Sequence, residues 1–426
     1  MNQTSLWLLL LLILHPSACY EMGKNGVNDD EGSITDSVFK KEYYHGFIPR
    51  EDTEGLLKKE GDFVLRKTER STDVIVLCLS VRTEAEVKHF VVNHRQGEGF
   101  FVDGTHKKES VSDLIKWYKS TKSTICSTSA KLRNAIHRPE WIMNHDDFNL
   151  VKKLGQGAFG EVFLAHISDE GTEKVAVKTL KGEATRIERL KFFKEARMMR
   201  KIDHIHVVRI LGVTVHEFPL MIVMEYCGSL LSIVKDKGKN MALKEKLRFC
   251  VEASDGLAYM EEQECIHRDI AARNCLLTNK NVLKIAEFGM SDDKPILHDD
   301  TLDKFNVKWL PPETLQEKIF SFKTDVWSYG IMVWEIYANG MDPYPGFSEL
   351  QTRAKVVLTD YRMTMPPETR KAVEKMGDAV LGQESRQETR HEYHLWETEG
   401  SAGQVVMKAL RMNKRREVIK INMFIN

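Results

Sequence analysis

Cysteine is scarce and unpatterned in this chain: 7 in 426 residues, an odd number with no Cys-x-x-Cys pair. That excludes a disulfide framework or a cysteine zinc site and points to a reducing compartment. Excess charge is also missing, since Lys+Arg and Asp+Glu both number 62 and the formal net charge is zero. A nucleic-acid footprint and a strongly basic membrane-facing surface are therefore not expected. No internal repeat occurs. The one long apolar run, Leu6 to Leu14, is too short to span a bilayer comfortably. Followed by His15-Pro16-Ser17-Ala18-Cys19, it looks like a signal-peptide core with a small-residue cleavage site, although no basic residue precedes it. A true leader, a membrane-associating segment and a mispredicted first exon all remain open. The polar stretch from Asn25 to Ser37 reads as a flexible lead-in.

The most informative stretch that is present is His267-Arg268-Asp269-Ile270-Ala271-Ala272-Arg273-Asn274. It places a carboxylate five residues before an amide, behind a His-Arg pair. Phosphoryl transfer needs such a loop: an acid to take the incoming hydroxyl's proton, and an oxygen ligand to hold a metal against phosphates. Upstream, Gly155-Gln156-Gly157-Ala158-Phe159-Gly160 is a glycine turn that folds backbone over phosphates without side chains in the way. Alone the spelling is ambiguous, because a dinucleotide-binding turn shares it. Glu161-Val162-Phe163-Leu164-Ala165 then alternates like a strand where a dinucleotide fold wants a helix, and Val175-Ala176-Val177-Lys178 is an apolar strand ending in lysine. Such a lysine needs an acid to orient it. Glu195, on an amphipathic segment, is the best placed.

These motifs resemble those of protein kinases, and Ala-Ala-Arg in the loop is the tyrosine-kinase form. The resemblance implies an α+β, two-lobed kinase fold over 148–376. It implies Asp269 as base, Arg273 as positive charge near the γ-phosphate, and a Lys178–Glu195 ion pair. ATP would lie against Leu154, Gly155, Gln156, Gly157, Ala158, Phe159, Gly160, Val162, Ala176, Lys178, Met224, Glu225, Cys227 and Leu276. Met224 would be the gatekeeper and Cys227 a hinge residue. Asn274 and Glu287 would hold magnesium, with manganese as an alternative ion. Val307-Lys308-Trp309-Leu310-Pro311-Pro312-Glu313 resembles the segment that positions a tyrosine-bearing peptide, and Asp325-Val326-Trp327-Ser328-Tyr329-Gly330 the buried helix that anchors the catalytic loop.

A second module resembles a Src-homology-2 (SH2) domain over 42–125, a central antiparallel sheet flanked by two helices. The matches are Tyr43-Tyr44-His45-Gly46-Phe47-Ile48-Pro49-Arg50, Gly61-Asp62-Phe63-Val64-Leu65-Arg66, Val87-Lys88-His89-Phe90-Val91 and Ser112-Asp113-Leu114-Ile115-Lys116-Trp117-Tyr118. Arg66 stands at an inward position of an apolar strand, where an unpaired charge is costly unless a ligand's phosphate oxygens take its fork of donors. Arg50, Thr68 and His89 would complete a phosphotyrosine pocket. A linker over 126–147, with Trp141 to Phe148, resembles that of Fes/Fer-type non-receptor tyrosine kinases. The implied partners are phosphotyrosine proteins and protein tyrosine substrates, and the implied location is cytoplasmic, with plasma-membrane association through the apolar run as the alternative.

Three departures bear on catalysis. Asp-Phe-Gly is replaced by Glu287-Phe288-Gly289, which keeps an oxygen ligand but adds a methylene. Met290 to Val307 contains no tyrosine, so Arg268 lacks the phosphate partner usual in the family. Asp299 and Asp300 as fixed charge, modification of Thr301, and simple solvation of these acids are the alternatives. Finally, the motif match stops after Pro367, and Glu313 would lose its arginine, a cost if it stays buried. Residues 377–426 form a divergent tail. A catalytically impaired scaffold is the alternative to an active enzyme.

Overall fold

The computed structural model describes residues 36–71, 74–156, 160–167, 173–180, 184–301, 306–364 and 366–367. Gly157, Ala158 and Phe159 of the glycine turn, the apolar run and the 377–426 tail lie outside them. Two compact units result, one comprising Met1–Phe193 with Leu211–Met224, the other Lys194–Ile210 with Glu225–Asn426.

The first unit holds two sheets. Strands β1 (Asp62–Ser71), β2 (Val74–Arg82), β3 (Val87–Arg95), β4 (Gly99–Phe101) and β5 (Asn134–Ala135) lie in the order β4-β3-β2-β1-β5. Neighbours pair antiparallel except β1 with β5. Helices Arg50–Leu56 and Val111–Thr121 accompany this sheet, the latter started by Ser110, whose hydroxyl accepts from Asp113 N at 3.1 Å. Alternation in β1 sends Phe63 and Leu65 into a core with Leu79, Leu114, Ile115 and Tyr118. Val38 and Leu132 join that core, which therefore reaches beyond 42–125 on both sides.

The second sheet follows: β6 (Ile142–Met143), β7 (Phe148–Gln156), β8 (Gly160–Ile167), β9 (Lys174–Leu180), β10 (Ile210–Thr214) and β11 (Met221–Glu225), ordered β6-β10-β11-β9-β8-β7. The two sheets are joined within the unit. Phe47 N donates to Val215 O at 2.7 Å, and the Phe47 and Phe218 rings lie 4.7 Å apart. Glu69 of β1 pairs with Arg186 at 3.6 Å and with Arg189, both on helix Arg186–Lys201. Gly46 permits the join: its φ is +63°, and a Cβ there would meet Val215 O at 2.0 Å.

The second unit is mainly helical, with helices Leu230–Lys237, Leu243–Glu262, Pro312–Glu317, Phe322–Tyr337 and Glu349–Leu358. Small sheets punctuate them: β12 (Gly228–Ser229), β13 (Cys275–Leu277) and β14 (Leu283–Ile285) in one, β15 (Ile296–His298) and β16 (Ile319–Ser321) in the other. Phe322–Tyr337 is buried on almost every side, which its run of Ile, Met, Val and Trp permits, and Ser321 caps it. No helix among the described residues is long and apolar enough to cross a membrane.

Candidate active site and phosphate pocket

The loop from His267 to Asn274 is hung from the buried helix. Both carboxylate oxygens of Asp325 accept backbone N–H groups, from His267 at 2.7 Å and Arg268 at 2.8 Å. Burial pushes this carboxyl up to about 7 despite those two bonds and the nearby Arg268. His267 Nε2 meets Ala286 O at 2.9 Å, and its ring lies edge-on to Phe288 at 5.2 Å. Burial holds this imidazole below its ordinary pKa.

Asp269 is gripped from several sides. Asn274 Nδ2 donates to its carbonyl and to Oδ2, each at 2.7 Å, and Arg273 Nη2 donates to Oδ1. Asn306 Nδ2 reaches Oδ1 at 3.3 Å. Arg273 in turn lies over the Trp309 ring at 4.3 Å, and Trp309 Nε1 donates to Glu335 Oε2 at 2.9 Å, which also accepts Ala272 N. Burial raises the Glu335 carboxyl to about 7. Asn306 and Glu335 escaped the sequence reading, because neither lies within a chemically suggestive pattern.

Asn274 and Glu287 are brought together, since Ala286 N donates to Asn274 O at 2.9 Å. Glu287 is exposed and sits at φ 67°, ψ 71°, the left-handed conformation. With Asn274 Nδ2 committed to Asp269, its Oδ1 is the oxygen left over. An amide oxygen beside a carboxylate is the kind of hard donor pair that magnesium or manganese takes, with nucleotide phosphates completing the shell. The residues therefore fit a divalent cation. Glu195 is only 6% exposed, and a Cβ on Gly289 would lie 3.5 Å from its Oε2, which puts this acid beside the Glu-Phe-Gly motif.

In the first unit, strand register lines up the nucleotide candidates. Gly155 stands opposite Val162, and Val162 opposite Lys178; Ala176, two residues before Lys178, shares its face. Leu154, Gly155 and Gln156 are exposed. In the second unit, Leu276 pairs with Ser229 and Leu277 with Gly228, which joins the strand of Leu276 to the one that follows Glu225 through Cys227. The Glu225 carboxylate is tied to Arg209 N and Lys284 Nζ, both at 2.7 Å, and Met224 is half-buried.

Of the alternatives for the tyrosine-free segment, the structure takes Asp299. Its Oδ2 accepts Arg268 Nη2, while Oδ1 accepts the Thr301 hydroxyl at 2.6 Å and Thr301 N at 2.9 Å. Burial opposes ionisation of Asp299, yet the Thr301 and Arg268 donors prevail and hold it at about 2. The expected cost at Glu313 does not arise. It is exposed at the start of its helix, so water solvates it without the arginine.

The candidate phosphate pocket lies on the first sheet. Arg66 is 4% exposed, donating to Ser80 Oγ at 3.2 Å and Ile48 O at 3.4 Å, and no carboxylate pairs with it among the described residues. Ser80 Oγ meets His89 Nδ1 at 2.9 Å; His89 Nε2 meets Glu54 Oε1 at 3.2 Å; and Arg50 Nε donates to the same oxygen at 2.7 Å. Thr68, two residues beyond Arg66, shares its face of β1. Ser80 and Glu54 were missed in the sequence, though Glu54 stands at the i+4 position from Arg50.

Residues 148–392 match the model for "Protein tyrosine and serine/threonine kinase", and residues 43–118 that for "SH2 domain". The kinase match runs past Pro367, where the motifs alone gave out, and past the expected domain end at 376. The chain belongs to the SH2-containing tyrosine kinases of the Fer/Fps type. It is 52% identical to Fer-related kinase 1 of Caenorhabditis elegans, covering 83% of this chain and 91% of that protein. To human tyrosine-protein kinase Fer it is 35% identical, covering 81% of this chain and 42% of that protein. To spermatocyte protein spe-8 of Caenorhabditis briggsae it is 33% identical, over 74% of this chain and 62% of that one. The chain thus spans nearly the whole of the first relative and about two-fifths of the human kinase.

Proposed function

We propose that this chain transfers the γ-phosphoryl of ATP to protein tyrosine and is recruited through its SH2 domain to phosphotyrosine-bearing proteins, in the cytoplasm where both ligands are available. The observation that carries the reading is the fourfold grip on Asp269. A carboxylate fixed at that loop accepts the phenolic proton as the oxygen attacks. Arg273, anchored over Trp309, offers positive charge beside it. Lys178 would hold the α- and β-phosphates with Glu195 as its partner, and the backbone from Glu225 to Cys227 would bind the adenine edge. Gly155, Gly160, Val162, Ala176 and Leu276 would line the nucleotide. Asn274 and Glu287 would hold magnesium or manganese, which when bound neutralises charge on the phosphates. Arg66, with Arg50, Thr68 and His89, would take the phosphate of a phosphotyrosine.

Phosphate transfer to a poly-Glu-Tyr substrate tests this. Wild type should be active and Asp269→Asn at background. Glu287→Asp, which shortens the ligand by one methylene, should raise activity. Equal background signals from wild type and Asp269→Asn would refute the reading.

A further inference from the structure

Glu54 is an unexpected occupant of the phosphate pocket. A recognition site for a dianion gathers donors and excludes acids, because a fixed carboxylate both repels the ligand and consumes its donors. Here one carboxylate oxygen takes Arg50 Nε at 2.7 Å and His89 Nε2 at 3.2 Å. These are two of the four side chains assigned to the phosphate. The ordinary account of Arg50 and Glu54 is a helical i,i+4 pair, exposed by 65% and 41% and worth little. That account leaves the second bond unexplained. His89 is only 13% exposed, and its other nitrogen meets Ser80, which in turn meets the buried Arg66. Glu54 therefore closes a continuous chain, Arg66–Ser80–His89–Glu54–Arg50, that runs from the pocket floor to its rim. Glu86, another acid whose charge acts on Arg50, is engaged by Lys88 at 2.8 Å.

We propose that Glu54 is an internal competitor for phosphate: its carboxylate occupies the outer donors Arg50 and His89 in the peptide-free protein, and a phosphotyrosine must displace it to reach them. No carboxylate among the described residues occupies Arg66 in this way, so its donors do not have to be won from an acid. Glu54 is thus a specificity-setting residue, which weakens binding of any anion too poor to win Arg50 and His89 from it. The proposal rests on Arg66 being the phosphotyrosine ligand.

The test is fluorescence anisotropy with a phosphotyrosyl peptide on the full chain, comparing wild type, Glu54→Gln, Glu54→Ala, Arg66→Leu and Arg66→Leu with Glu54→Gln. Glu54 is partly exposed and outside the apolar core, so thermal unfolding should show the single variants at that position folded. Removing one opposing charge at a partly exposed site should tighten binding about tenfold in Glu54→Gln and in Glu54→Ala. Loss of binding in both Arg66→Leu proteins with tightening in the Glu54 variants supports the proposal. Unchanged or weaker binding in the Glu54 variants would overturn it and make Glu54 a support for Arg50, with the pocket intact. Retained binding in Arg66→Leu would instead remove the pocket on which the proposal depends.

Discussion

Asp299 should do in this kinase what a phosphate on the activation segment does in its relatives, and its removal offers the sharpest test. Arg268 is 7% exposed and Asp299 21%, so the pair is mostly shielded from water. Breaking a buried pair by deleting one partner costs about 3–5 kcal/mol, because the remaining charge is stranded. Two features reduce that figure for Asp299→Ala: Arg268 still reaches Met290 O at 3.2 Å, and its guanidinium lies 4.2 Å from the Phe320 ring centroid. We therefore expect a loss of about 2 kcal/mol, between the exposed and buried limits. The same change frees the segment, since Asp299 also gathers Thr301 and its backbone is bonded to Lys318 O at 3.0 Å. If the active arrangement bears the whole cost, its population falls roughly 30-fold. The assay is steady-state phosphorylation of poly-Glu-Tyr by phosphatase-treated protein, with mass spectrometry confirming an unmodified segment. Wild type should be active without phosphorylation, and Asp299→Ala should lose roughly 30-fold in kcat. An unaltered Asp299→Ala enzyme, or a wild type silent until phosphorylated there, would refute the reasoning.

Other consequences are testable more simply. Glu335 has a folded pKa of about 7 against an ordinary 4.5, so between those values the unfolded chain carries fewer protons and stability falls as pH rises. Glu335→Gln, which keeps an acceptor for Ala272 and Trp309, should be indistinguishable from wild type near pH 4 in urea unfolding and more stable, by about 3 kcal/mol at most, above pH 7; a constant difference across that range would count against the buried-acid account. Gly46→Ala should destabilise the first unit by at least about 1–3 kcal/mol, from the left-handed φ alone, before the clash with Val215 O is counted, and an unchanged unfolding midpoint would show that the join between the sheets yields. Burial pushes the thiols of Cys250 and Cys265 up to about 12, whereas Cys126 is exposed. Iodoacetamide should therefore label Cys126 first among these under native conditions, which peptide mapping would verify.

Much of this protein was legible as spelling, because the chemistry of phosphate demands local patterns. The loop from His267 to Asn274 carries its carboxylate and amide five residues apart, and the fold returned them bonded to each other. The glycine turn and the Lys178 strand set their own registers through alternation, so Val162 and Lys178 fell opposite one another as a hairpin requires. Arg66 announced itself as a charge on an apolar strand. What only the tertiary structure decided lay between segments distant in sequence. Asp299 rather than Asp300 or Thr301 meets Arg268 because β15 pairs with β16 and fixes which acid turns inward. Glu313 escapes burial because its helix start faces solvent. Glu54 reaches His89 only because helix Arg50–Leu56 lies against β3, a neighbour relation that no spacing records. Local sequence sets which groups a segment can offer; packing across 30 or more residues sets which of them meet.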